Sequence, residues 1–330
     1  MSKQYKVGII GAGNIVESSH LPVLQNLPNA EVAWIYDINQ NRTGLLSSMY
    51  AVQTLGGAPE EGIKNVDICL ITIPYGVRQN YYQACSAAGK AVYVEKPFAL
   101  SEQEHLQTSS MFRPYQLAIG FQRRSYKIVY QLRQLVQSGV FGKLKSIAFT
   151  QGYFSLKGGR GYLSDAKLAG GGVIIESAIH SFDQMLQITN ATDVEVLNVD
   201  YLQKNGIDYD SVTNSVLTTP TGSVDVVSSV STLRNLKNGV VFTFENAWVE
   251  CRFSADSDLR VYANSGKQLS FDIEALLANE NNIATTVGAS FYFFWKKFLE
   301  ALDEEKANFT SAQESLLTTK WMEKIYGKIK

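Results

Sequence analysis

Tyr5-Lys6-Val7-Gly8-Ile9-Ile10-Gly11-Ala12-Gly13-Asn14-Ile15-Val16 is the stretch whose reading decides the fold. Its first six residues have the apolar density of a buried strand, two glycines then permit a tight turn, and helical spacing runs from Asn14 to about Gln25. Such a turn sets backbone N–H groups and the positive end of a helix against a pyrophosphate. Gly11, Gly13, Asn14 and Ile15 are therefore candidate cofactor-binding residues. The next predicted strand, Glu31 to Tyr36, ends in Asp37. A carboxylate there suits the hydroxyls of an adenosine ribose and repels a 2′-phosphate, which predicts NAD. Arg42 is close enough in sequence to keep NADP possible. Val16 stands where a third glycine or alanine normally lets the helix pack closely.

The alternation continues outward from this unit. Asp67 to Pro74 reads as a buried strand, Val77 to Ala88 as a helix, and Gly89-Lys90 as the turn into Val92-Tyr93-Val94. That strand delivers Glu95 and Lys96 before Pro97 forbids the ladder from continuing. Ser101 with Glu104 has the pattern of a capping box, and Leu117 to Gly120 is the last strand of the series. Strands separated by helices imply an α/β, doubly wound parallel sheet of the Rossmann kind over 1–121, with its ligands at the carboxyl ends of the strands.

Residues 122–330 read as a second, α+β domain. A helix over Ser125 to Gln137 precedes a strand near Lys143 to Gln151, and Val194 to Phe271 is mainly strand, with period-2 positions at Val224, Val226, Phe242 and Phe244. Thr221-Gly222 and Asn238-Gly239 are turn signals that predict antiparallel neighbours. Phe291, Phe294, Trp295, Phe298, Leu299 and Leu302 follow helical spacing and predict a core stripe.

Composition narrows the function classes. The 330-residue chain is 45% hydrophobic and 18% charged with a formal charge of −1, so it has no basic excess for a phosphate backbone, and nucleic acid is not an expected partner. The longest aromatic cluster stops at Lys296-Lys297, short of a membrane span. The first strand follows Met1 at once, leaving no room for a signal peptide, and the three scattered cysteines fit reduced thiols; both point to the cytoplasm and away from a metal framework.

Taken in order, Gly11-Ala12-Gly13, Asp37, Pro74, Ala88-Gly89-Lys90 and Glu95-Lys96-Pro97 give the chain a resemblance to the Gfo/Idh/MocA family, the glucose-fructose oxidoreductase and inositol dehydrogenase group. Gly120-Phe121-Gln122-Arg123-Arg124, Ser138 to Gly142, Gly170-Gly171-Gly172 followed by His180 and Asp183, and Trp321 to Gly327 extend it over nearly the whole chain. The resemblance implies a second domain built on one large, mainly antiparallel open sheet whose outer face pairs subunits as a homodimer or homotetramer, and a C-terminal helix packed back on the first domain. It implies cofactor contacts from Pro74, Arg78, Glu95 and Lys96, and a catalytic group of Lys96, His180 and Glu176.

The chemistry agrees with that assignment. Glu176, His180 and Asp183 are spaced to share a helix face, and imidazole is the side chain best suited to exchange a proton near neutrality. His180 is the expected general acid/base, Lys96 the cation that steadies an alkoxide, and Glu176 the group that orients substrate or imidazole. Arg123, Arg124, Tyr153, Arg160 and Tyr162, each of which reads equally as surface or core, and Asp183 are candidate substrate contacts, an arginine there suiting an acidic sugar or phosphate. Three positions depart from the family pattern: Glu176 replaces Asp, Ala178 replaces Gly, and Arg78 replaces a frequent His. Arg78 either binds a cofactor phosphate or is a solvated helix residue. The leading expectation is hydride transfer between nicotinamide and a secondary alcohol of a sugar, cyclitol or related polyol. The alternatives are a dinucleotide-binding regulatory or scaffold protein without turnover, and a redox-neutral sugar-modifying enzyme with retained NAD.

Overall fold

The computed structural model describes residues 3–155, 161–272, 275 and 283–329. The chain forms two compact units, dividing between Gln122 and Arg123, between Thr286 and Val287, and again between Leu316 and Leu317.

In the first unit, β1 (Tyr5–Ile10), β2 (Ala30–Tyr36), β3 (Ile68–Ile71), β4 (Ala91–Val94) and β5 (Leu117–Ile119) form a parallel sheet in the order β2-β1-β3-β4-β5. Parallel strands need crossovers, and α1 (Leu21–Leu24), α2 (Gln40–Tyr50), α3 (Pro59–Ile63), α4 (Gln79–Ala87) and α5 (Glu102–Ser109) supply them. The order reverses about β1, which puts the crevice for a ligand outside the carboxyl ends of β1 and β3. The predicted first helix divides into a wide π-turn over Val16–His20 and the α1 turn that follows. Val16 is fully buried at the start of that wider turn, where the smaller residue was expected.

In the second unit, α6 (Lys127–Ser138) precedes β6 (Leu144–Gly152), and α7 (Ala166–Ala169) and α8 (Ile179–Thr189) come before a run of strands. These are β7 (Asp193–Lys204), β8 (Ile207–Thr219), β9 (Gly222–Ser231), β10 (Gly239–Phe244), β11 (Ala247–Cys251), β12 (Arg260–Ala263) and β13 (Gln268–Leu269). The sheet order is β13-β12-β11-β10-β6-β9-β8-β7, antiparallel except for the parallel pair β6 and β9. That pair corrects one expectation. Thr221-Gly222 does turn β8 into its neighbour β9, but Asn238-Gly239 joins no hairpin, because β10 pairs with β6 and β11 instead of β9. Val224, Val226, Phe242 and Phe244 face inward as their period-2 spacing predicts.

The helix α9 (Val287–Glu304) belongs to the first unit, and α10 (Leu316–Lys328) lies almost wholly in the second. Phe291, Phe294, Trp295, Phe298 and Leu299 of α9 share one core with Ile9, Tyr93 and Ala118, so the aromatic stripe is the core stripe its spacing predicts. Each such side chain removed from water contributes about 1.5–3 kcal/mol. No described helix is long and apolar enough to cross a membrane.

Candidate functional site

In the first unit, the glycine turn is held by groups that arrive from β2 and α2. Gly11 has φ +111°, a left-handed conformation, and a Cβ there would stand 2.5 Å from Thr72 Oγ1. A Cβ on Gly13 would meet nothing within 4 Å, so this side of the turn is open for close approach of a ligand. Asp37, at the carboxyl end of β2, accepts from the Ala12 N–H at 2.6 Å and the Asn39 N–H at 2.8 Å. Arg42 donates from Nε to Ala12 O at 3.0 Å and from Nη2 to Glu17 Oε2 at 2.7 Å. The cation that kept NADP possible is thus already engaged with a carboxylate and the turn itself. The open glycine face and the acidic strand end fit a dinucleotide.

Two strands away, β4 ends in Glu95 and the half-buried Lys96, followed by a cis bond to Pro97. Arg78 braces this end. It is only 4% exposed, with Nε donating to Ile73 O at 2.8 Å and Nη1 to Glu95 O at 2.5 Å and Pro97 O at 2.6 Å. It is therefore not a solvated helix residue; the backbone carbonyls on both sides of Lys96 accept its hydrogen bonds. Pro74 stands just before the short turn Tyr75–Val77 that leads to Arg78.

Sequence reasoning missed what lies behind Glu95. The His20 ring is fully buried, with Nε2 3.0 Å from Glu95 Oε1 and Nδ1 accepting the Trp295 indole N–H at 3.0 Å. A Cβ on Gly120 would come within 2.9 Å of the Glu95 carboxylate, so glycine there lets the carboxylate lie against the main chain. The partners of His20 stand 75 and 275 positions along the chain, and no local pattern joins them.

In the second unit, the three-glycine block opens the helical segment that carries His180. Asp208, on β8, accepts from the Gly172 N–H at 2.6 Å, the Ile174 N–H at 2.9 Å and the Tyr326 hydroxyl at 2.7 Å. Gly172 is required because a Cβ would fall 1.9 Å from Asp208 O. Burial and the neighbouring Asp208 push the Tyr326 hydroxyl well above its ordinary pKa, so it stays a donor to that carboxylate. Asp208 and Tyr326 were not expected from sequence, since each is an isolated polar residue until the fold assembles them.

The segment from Ile174 to Ala178 is a π-turn that passes directly into α8. Glu176 lies in this turn, half-buried, and accepts from the Ser177 hydroxyl. His180 is on the second residue of α8 and 5% exposed. The wider turn changes the angle between Glu176 and His180 from the uniform α spacing expected of them. Ala178 is fully buried, so its extra methyl is absorbed by the core.

Asp183 corrects an expectation. It is 1% exposed, and Arg124 grips it from Nε at 2.8 Å and Nη2 at 2.5 Å while Thr318 donates to it at 2.9 Å. A buried, doubly bonded ion pair is structural, so Asp183 and Arg124 serve the fold and are not offered to a substrate. Among the remaining candidates, Tyr153 and Glu176 do meet. They line a cleft of about 500 Å³ of open space together with Ser155, Gly171, Tyr209 and Thr232. Tyr162 is half-exposed beside it on the turn Gly161–Ser164, whose Leu163 is in the wall. Arg123 is partly buried, with its Nε sealed from solvent and no acceptor among the described residues. Arg160 lies outside the described residues. Among those residues no group of acidic, histidine and cysteine side chains could hold a metal ion.

Comparison with known proteins bears on the family and the fold. The model described as the oxidoreductase family with an NAD-binding Rossmann fold, GFO_IDH_MocA, matches residues 5–118, and a GFO/IDH/MocA C-terminal domain model matches 129–267. An uncharacterized oxidoreductase of Bacillus subtilis, YrbE, is 22% identical over 94% of this chain and 87% of its own. The myo-inositol 2-dehydrogenase of Thermotoga maritima is 23% identical over 92% of this chain and 86% of its own. Among solved structures, a 3-ketoreductase from Actinomadura kijaniata, crystallised with NADP and TDP-benzene, superposes with a TM-score of 0.83 at 16% identity, covering 99% of this chain and 98% of its own. That likeness is one of fold.

Proposed function

Because the chain belongs to the Gfo/Idh/MocA family of NAD(P)-binding oxidoreductases, we propose that it moves hydride between nicotinamide and a secondary alcohol, or its ketone, on a sugar, cyclitol or related polyol. The observation that carries the substrate class is the cleft of the second unit: hydroxyls of Tyr153, Ser155, Tyr209 and Thr232 beside the Glu176 carboxylate, on the helical segment that bears His180. Paired hydroxyl and carboxylate groups match the donors and acceptors of a polyol. The names of the relatives support the same class.

Gly11, Gly13, Asn14, Ile15 and Asp37 would hold the pyrophosphate and adenosine half of the cofactor, with Pro74, Glu95 and Lys96 toward its other end. The bound nicotinamide supplies the hydride acceptor or donor. His180 removes the hydroxyl proton of the alcohol, or returns it to the ketone, and the Lys96 ammonium steadies the alkoxide between those states. Glu176 orients a substrate hydroxyl, and Arg123 is a further expected substrate contact. Tyr153 lines the pocket wall, with Tyr162 and Arg160 as further expected contacts. A panel of sugars and cyclitols, followed through the NADH absorbance band, should show turnover on at least one member. Cofactor binding with none would overturn the enzymatic reading.

Asp37 and the pairing of Arg42 with Glu17 favour NAD over NADP. NADH should bind about tenfold or more tightly than NADPH in parallel fluorescence titrations, the 2′-phosphate meeting one carboxylate and no uncommitted partner in Arg42. Tighter NADPH binding would reverse the assignment.

The outer face of the large sheet supports self-association. Register aligns Val227, Ala148 and Val241 in one row across β9, β6 and β10, and Trp248 stacks on Tyr262 at 4.0 Å in the adjoining row. Val227 is 47% exposed. Such a face is expected to bury itself against a second copy. Light scattering on the eluting protein should report a dimer or tetramer; a stable monomer at micromolar concentration would count against it.

A further inference from the structure

His20 is locked between a donor that can only donate and a carboxylate. An indole N–H has no acceptor capacity, so the Trp295 bond at 3.0 Å requires the His20 Nδ1 to be unprotonated. The one ring proton then stands on Nε2, directed at Glu95 Oε1, also 3.0 Å away. Tyr93 and Phe291 pack edge-on against the ring at 5.2 and 4.9 Å and hold its plane. The Glu95 carboxylate is thus fixed from one side by imidazole and from the other by the main chain at Gly120.

Topology places this pinned carboxylate relative to the glycine turn. β2, with Asp37, lies on one side of β1, and β4, with Glu95, lies two strands away on the other. At roughly 4.8 Å per strand, Glu95 is about 10 Å across the sheet from the glycine turn, within reach of the nicotinamide end of a dinucleotide whose adenosine ribose is at Asp37. We propose that His20 is a positioning residue for the nicotinamide half of the cofactor, acting through Glu95 with Trp295 as the group that fixes its tautomer. This rests on the dinucleotide reading given above.

The experiment compares NADH with ADP-ribose, which lacks nicotinamide, by titration against wild-type protein and three variants. His20→Phe keeps a buried ring but breaks both hydrogen bonds; the NADH Kd should rise about 10- to 100-fold, with that of ADP-ribose unchanged within about twofold. His20→Gln can accept from Trp295 with its amide oxygen and donate to Glu95 with its nitrogen, so it should recover most of the NADH affinity. Trp295→Phe frees the tautomer while leaving His20 and Glu95 in place. It should show the same selective loss at smaller size, and it carries the test if His20→Phe does not fold. Equal weakening of both ligands, or no weakening of either, overturns the role assigned to His20. Failure of the wild-type protein to bind NADH and ADP-ribose would instead overturn the dinucleotide reading itself.

Discussion

His180→Ala lowers turnover by about 10²- to 10⁴-fold while NADH affinity is retained. The loss is large because oxidation of an alcohol has to dispose of a hydroxyl proton, and imidazole is the side chain able to hold it reversibly near neutrality. Affinity survives because the residues assigned to the cofactor belong to the other unit, at the glycine turn and the ends of β2 and β4. The buried position of His180 at the start of α8 also makes the variant informative, since Ala is a good helix former and removes the ring alone. Steady-state kinetics on the best substrate, with an NADH titration beside it, checks both halves of the expectation. Turnover within a few fold of wild type would withdraw His180 from proton transfer.

Asp183→Ala destabilises the protein by about 3–5 kcal/mol, because it leaves the Arg124 guanidinium buried without its counter-charge. Both side chains are 2% exposed, so water cannot substitute for the lost carboxylate, and Thr318 loses its acceptor as well. Removing both charges together, as Arg124→Met with Asp183→Leu, should cost less than Asp183→Ala alone, since no isolated charge then remains. Denaturant midpoints for the two variants measure this. A single variant within about 1 kcal/mol of wild type would show that the pair contributes little.

What the sequence disclosed depended on how far apart the cooperating residues lie. The Rossmann half was legible because each of its signals is local: β1 runs from Tyr5 to Ile10 as its apolar run predicts, Asp37 closes β2, and Ser101 caps α5 by accepting the Glu104 N–H. The strand alternation of the second unit was legible for the same reason. The identities of Lys96 and His180 as candidates came from a family pattern. Their supports came from neither. For Arg78 the sequence left a cofactor phosphate and solvent as alternatives, and could not show the three carbonyls that draw it inside. Asp183 shared the predicted helix face with His180, but Arg124, 59 positions earlier, claims it. Helical spacing placed Trp295 correctly in the core and could not show that its one polar atom meets His20.

The carboxylate of Asp208 has an effect beyond fastening the three-glycine block. The start of a helix is ordinarily a receptor for negative charge, and here that place, in the wall of the cleft, is taken by the protein's own anion. The helix end is thus already satisfied, and two carboxylates, Asp208 and Glu176, stand in the wall around the cleft. The wall of the cleft therefore presents negative charge that the protein itself supplies.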